Sequence, residues 1–144
     1  MTRNIVILLI IALIGGVYFW LSNNDEQNAK VSDGTKSNSA LVSVTLPEQL
    51  SDNAIVGKRI FEAKCASCHG QNAAGQKGVA PPLIHKIYEP SHHGDESFQR
   101  AAALGVRAHH WPFGNMPPVD GLTRAEVSTI ITYVRELQRA NGIN

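Results

Sequence analysis

The 144-residue sequence predicts an all-α fold, one small helical domain preceded by a single transmembrane helix. Three observations lead there. Near the C-terminus, Val127, Ile130, Ile131, Val134 and Leu137 recur at helical spacing behind a Thr123/Glu126 capping pair, and Asn141-Gly142 closes the run. Residues 5–21 read "IVILLIIALIGGVYFWL", an uncharged stretch of about seventeen residues, at the short end of what crosses a bilayer as a helix. No strand pattern competes with these helices, and no internal repeat is present.

Chain length leaves room for one domain plus modest extras. A formal net charge of +1 with no clustered Lys/Arg face argues against nucleic acid as a partner. Arg3 before the apolar run and Asp25 and Glu26 after it place the N-terminus in the cytoplasm and the rest of the protein outside, with Tyr18 and Trp20 at the far interface. The competing reading is a cleaved signal peptide, but bulky aromatics stand where a small-residue cleavage site would be. Residues 1–21 are therefore expected to be an anchor and 22–49, rich in Asn, Ser, Asp, Lys and Gly, a flexible linker. Within the linker "LVSVTL" (41–46) has a second reading, a strand-like segment lying on the domain.

The folded domain is expected over residues 50–144. Its first helix is capped by Ser51 or Asp52 and has Ile55, Val56, Ile60, Phe61 and Ala63 as candidates for an apolar stripe. A loop follows, "GQNAAGQKGVAPPL" (70–83), and then an aperiodic stretch containing His85, His92 and His93. A middle helix starts at 94–96 and runs to about 106, offering Phe98, Ala101, Ala102 and Leu104 for packing. The loop "HHWPFGNMPPVDG" (109–121) leads into the last helix.

Chemistry concentrates in "CASCH". Cys65 and Cys68, the chain's two cysteines, stand three apart with His69 directly after them. A disulfide between them would close a very short, strained loop that restricts the unfolded chain little. Zinc needs four ligands and the usual second cysteine pair is missing, while a thioredoxin-like dithiol wants a βαβ context that this chain lacks. On a helix end both sulfurs face one side and the imidazole projects from the adjacent turn. That suits two thioether bonds to one haem and a histidine on its iron.

With these residues in view, 50–144 resembles a class I cytochrome c, and the anchor and linker are similar to those of membrane-bound bacterial members. Gly57 and Phe61 match a Gly and an aromatic four apart on the family's first helix, and Tyr133 an aromatic on its last, where the two helices cross closely. Pro81 and Leu83 match a Pro-x-Leu, whose proline carbonyl would accept the ring N–H of His69. The resemblance implies three main helices and loops wrapped around one haem c, with Met116 in "FGNMPPV" as the second axial ligand. Arg107, Trp111 and Asn115 are candidates for bonding the haem propionates. His109 and His110 read first as solvent-exposed or hydrogen-bonded histidines, with replacement of Met116 on the iron or a copper-handling set with it as the alternatives.

With His69 and Met116 both on iron no coordination position is open, which points to a one-electron carrier rather than an enzyme. Respiratory partners such as a quinol-oxidising complex or a terminal oxidase are expected on the outer, periplasmic face of the cytoplasmic membrane. From residue 50 onward ten Lys/Arg stand against eight Asp/Glu, an excess that two haem propionates would roughly cancel. The rival readings are a ligand sensor or peroxidase-like protein in which Met116 dissociates, and a haem subunit of a larger oxidoreductase complex.

Overall fold

The computed structural model describes residues 39–144, so the expected anchor (1–21) and most of the linker lie outside the described residues. Among the described residues four α-helices follow in order: α1 (Asp52–Lys64), the single turn α2 (Ala66–His69), α3 (Asp95–Leu104) and α4 (Arg124–Ala140). Two 3₁₀ turns, Gln71–Ala73 and Lys86–Tyr88, lie between α2 and α3. The described residues form no named strand, only isolated bridges Gln76–Ala80 and Val106–Met116. None of their helices is long and apolar enough to cross a membrane.

The N-terminus of α1 is held twice by Ser51. Its Oγ accepts from the Ala54 amide at 3.3 Å, the capping role that a short polar side chain performs there. The same hydroxyl donates to Glu136 on α4 at 2.6 Å. The apolar stripe of α1 differs from the one expected: Ala54, Gly57 and Phe61 are buried, whereas Ile55 and Val56 are 39% and 45% exposed. Space explains the difference, because α4 packs so close that a small residue faces it. A Cβ on Gly57 would overlap the backbone carbonyl of Thr129. The approach brings Phe61 and Tyr133 together, ring centroids 5.7 Å apart and tilted by 59°, a favourable edge-inclined arrangement. Tyr133, Phe61, Leu137 and Val134 are fully buried around this crossing.

The capping box of α4 is formed as expected, with Thr123 and Glu126 bonding each other's backbone amides at 2.8 and 3.2 Å. In α3, Gly94 and Gly105 flank the helix, and Leu104 is 74% exposed rather than packed. Gln99 is buried in its stead, donating to Arg124 O and Ser128 Oγ on α4, both at 3.0 Å. Amphipathic spacing does not anticipate a polar contact of this kind.

Residues 41–46 lie on the domain. The amides of Leu41 and Val42 both donate to Ala74 O at 3.1 and 3.2 Å, and Val42 and Val44 pack against the core. Thr45 and Asn141 exchange a pair of hydrogen bonds of 2.9 and 2.8 Å. The alternating pattern of "LVSVTL" thus serves to lay one apolar face on the domain.

Candidate functional site

α1 ends at Lys64, and Cys65 caps it while also starting α2: its amide donates to Phe61 O at 2.8 Å, and its carbonyl accepts from His69 N at 2.9 Å. This corner fixes Cys65, Cys68 and His69 within one helical turn. Both thiols are free, Cys65 half-buried and Cys68 exposed. Burial, with a smaller contribution from Cys68, pushes the Cys65 thiol up to about 11. A free thiol in that state is a poor nucleophile and a poor redox switch.

His69 is buried, and its Nδ1 lies 2.9 Å from Pro81 O. A carbonyl can only accept, so Nδ1 carries the proton and Nε2 keeps its lone pair. Burial lowers the imidazole pKa, partly offset by that hydrogen bond, and a neutral ring is the form that ligates a metal. Pro82 is fully buried next to Pro81, and Leu83 N donates to Ala73 O at 2.9 Å, which steadies the segment that supplies the carbonyl.

Met116 enters from the loop after α3. Val106 and Met116 exchange both backbone hydrogen bonds at 2.9 Å, the closed pair of an antiparallel ladder. Gly105 makes this possible. Its φ is +73°, and a Cβ there would overlap Met116 O.

One cavity of about 660 Å³ joins these parts. Nine residues singled out from the sequence line it: Cys65, Cys68, His69, Pro81, Leu83, Arg107, Trp111, Asn115 and Met116. Three are placed differently from one another. Asn115 Oδ1 accepts from Ala108 N at 2.9 Å and so braces its own loop, and Arg107 is exposed with its carbonyl bonded to His109 Nδ1 at 2.8 Å. Trp111 instead has its Nε1 buried with no hydrogen-bond partner of acceptable geometry among the described residues. It stands near Tyr88, whose phenol burial raises and the indole N–H partly lowers again.

Sequence reading assigned Val127, Ile130 and Ile131 to the core, but they also form a wall of this cavity, with Tyr88 and Phe98. A periodic apolar face looks the same whether it meets a helix or a flat prosthetic group. The lining is mainly apolar, and its polar members are the two thiols, five imidazoles, the Met116 thioether, the Trp111 indole and the side chains of Tyr88, Ser97, Arg100, Arg107 and Asn115. That donor set fits haem: sulfurs for covalent attachment, soft and imidazole ligands for iron, and a buried donor for a propionate.

Fold and cavity together define a small helical domain built around one covalently held prosthetic group. The family model for cytochrome c matches residues 54–138, and the chain belongs to that family, as a mono-haem class I member carrying a covalently bound c-type haem. It is 34% identical over 100 residues to the Cbb3-type cytochrome c oxidase subunit FixP of Bradyrhizobium sp. (strain ORS 278), covering 63% of this chain and 32% of that protein. Over 87 residues it is 33% identical to the Cbb3-type cytochrome c oxidase subunit CcoP of Rubrivivax gelatinosus, covering 59% of this chain and 26% of that one. The alignments thus span about a third or less of these relatives' length. Haem-based electron transfer is the activity that the family defines.

Proposed function

We propose that the chain is a membrane-tethered one-electron carrier, its haem domain on the outer face of the cytoplasmic membrane, exchanging electrons with respiratory complexes. Cys65 and Cys68 would hold the haem by thioethers, and His69 and Met116 would take its two axial positions. When bound, the group supplies a one-electron Fe(III)/Fe(II) couple. The chain's own residues do the rest. Pro81 O orients His69, the Val106–Met116 pair holds the methionine backbone, Trp111 Nε1 is available to a propionate, and the walls exclude water.

The observation that carries the reading is the convergence of Cys65, Cys68, His69 and Met116 on one cavity. With both axial ligands from the protein, no position is left for oxygen or peroxide. Reduced holoprotein is therefore expected to bind carbon monoxide poorly. Ready binding would favour a sensor or peroxidase-like protein instead.

The anchor at residues 5–21 and the linker after it supply the tether, which raises the domain's effective concentration near membrane partners. Replacing residues 1–21 with a cleaved export signal is expected to slow respiratory electron flow while haem content stays the same, and unchanged flow would count against the tether. A second reading is favoured by the relatives' names, both of which are oxidase subunits: the chain would donate electrons from a fixed place in such a complex. Co-purification of stoichiometric oxidase with the full chain would select it over a shuttle.

A further inference from the structure

Besides His69, four histidines line the haem cavity, His92, His93, His109 and His110, and the electron carrier described above uses none of them. Three of them come together from two loops. Donor nitrogens of His92 and His93, from the loop before α3, and of His110, from the loop after it, all lie within 4.8 Å of one another. The ring centroids are 4.6, 5.3 and 5.2 Å apart. We propose that His92, His93 and His110 form a mononuclear site for an imidazole-preferring divalent transition metal, Cu²⁺ or Zn²⁺, at the mouth of the haem cavity and separate from the iron.

The ring orientations support this beyond mere proximity. Nδ1 of His92 and Nδ1 of His93 both lie on the Ile87 carbonyl, at 3.0 and 2.6 Å. The carbonyl can only accept, so both rings carry their proton on Nδ1 and keep a lone pair on Nε2. A backbone carbonyl behind the distal nitrogen is the support that metal-binding imidazoles ordinarily have. The loop is itself anchored: Arg135, buried in α4, donates to the carbonyls of Tyr88 and His93 and pairs with Asp95 at 2.9 Å. Two ligands are therefore pre-oriented on a fixed segment.

His110 completes the set from the opposite loop. The His109 ring lies tilted against His110, centroids 4.2 Å apart, but its Nδ1 is bonded to Arg107 O and it is not part of the triad. Metal–nitrogen bonds of about 2.0–2.1 Å in a tetrahedral site require nitrogens about 3.3 Å apart, within reach of small ring rotations from the present spacing. No carboxylate belongs to the cluster, which disfavours Ca²⁺, Mg²⁺ and Mn²⁺. His92 and His110 are exposed, so an ion reaches them from solvent and the fourth position is open to water or to a ligand from a partner.

The test is titration of the purified haem-loaded chain with Cu²⁺ and, separately, with Zn²⁺, followed by calorimetry, together with paramagnetic resonance of the Cu²⁺ form. The site predicts one equivalent bound with submicromolar affinity, nitrogen hyperfine structure from three imidazoles, and axial-ligand bands of the haem unchanged. His92→Gln and His110→Gln, both surface changes, are each expected to weaken binding by more than about 10-fold, the least that loss of even an outer-shell partner costs. Absence of stoichiometric binding, equal affinity in the variants, or hyperfine structure from fewer than two nitrogens would overturn the proposal. So would a change of iron ligation in His110→Gln, since that would assign the ring to the haem. Failure of the electron-carrier reading would appear in carbon monoxide binding and leave these outcomes untouched.

Discussion

At the scale of single residues, the lower half of the site depends on what is missing from Gly105. Its left-handed backbone and lack of a Cβ let Val106 and Met116 pair, and the methionine is held at the cavity by that pairing. Gly105→Ala meets both strain and overlap with Met116 O. The expected outcome is a haem still covalently attached but with a weakened or lost methionine-to-iron charge-transfer band, read in the ferric optical spectrum. An unaltered band would mean that the loop tolerates the change and that Gly105 does not position the ligand. On the other side of the cavity, a carbonyl does the corresponding work, since Pro81 O fixes which nitrogen of His69 is free.

At the scale of elements, α4 has the clearest local signal and does several jobs. Its capping box satisfies the first-turn amides, and the hydrogen bonds from Thr123, backbone first and side chain second, hold the Glu126 carboxyl below its ordinary 4.5. A carboxyl depressed in the folded state stabilises the protein above its unfolded pKa, and that contribution is lost as pH falls through the folded value. Glu126→Gln is therefore expected to lower the melting temperature at neutral pH, with the difference from wild type shrinking as pH drops below 4.5. Thr123→Ala removes the reciprocal half and is expected to cost about 1 kcal/mol in denaturant unfolding. A pH-independent gap for Glu126→Gln would show that the charge plays no part.

The same element shows what sequence makes legible and what it hides. Val127, Ile130, Ile131, Val134 and Leu137 are readable as buried because their spacing repeats, and Thr123 and Glu126 because capping chemistry is local. Arg135 and Gln138 are buried as well, yet nothing in the spacing indicates it. They reach carbonyls of Leu83, Tyr88 and His93, some forty to fifty-five positions away. Ile55, Val56 and Leu104 fail in the opposite direction, being apolar but exposed among the described residues. The motif residues were legible because attachment chemistry demands fixed spacing, whereas the His92, His93 and His110 cluster arises only when two loops on either side of α3 meet.

For the whole molecule, the prosthetic group completes the core. Apolar residues of α1, α3 and α4 that would otherwise close on one another leave a cavity of about 660 Å³, and Cys65, Cys68, His69 and Met116 all open onto it. A small domain of this kind stands to gain much of its stability from a cofactor, as small cores commonly do. Near balance of charge argues against strong long-range steering toward partners.

The central claim, a covalent haem with His69 and Met116 on its iron, is tested most directly by the optical spectrum of the purified holoprotein in both redox states. The account predicts a c-type α-band on reduction that survives acidic solvent extraction, and a methionine-to-iron charge-transfer band on oxidation that Met116→Leu abolishes. A haem that extracts freely, or a ferric spectrum of two histidine ligands in the wild-type protein, would contradict it.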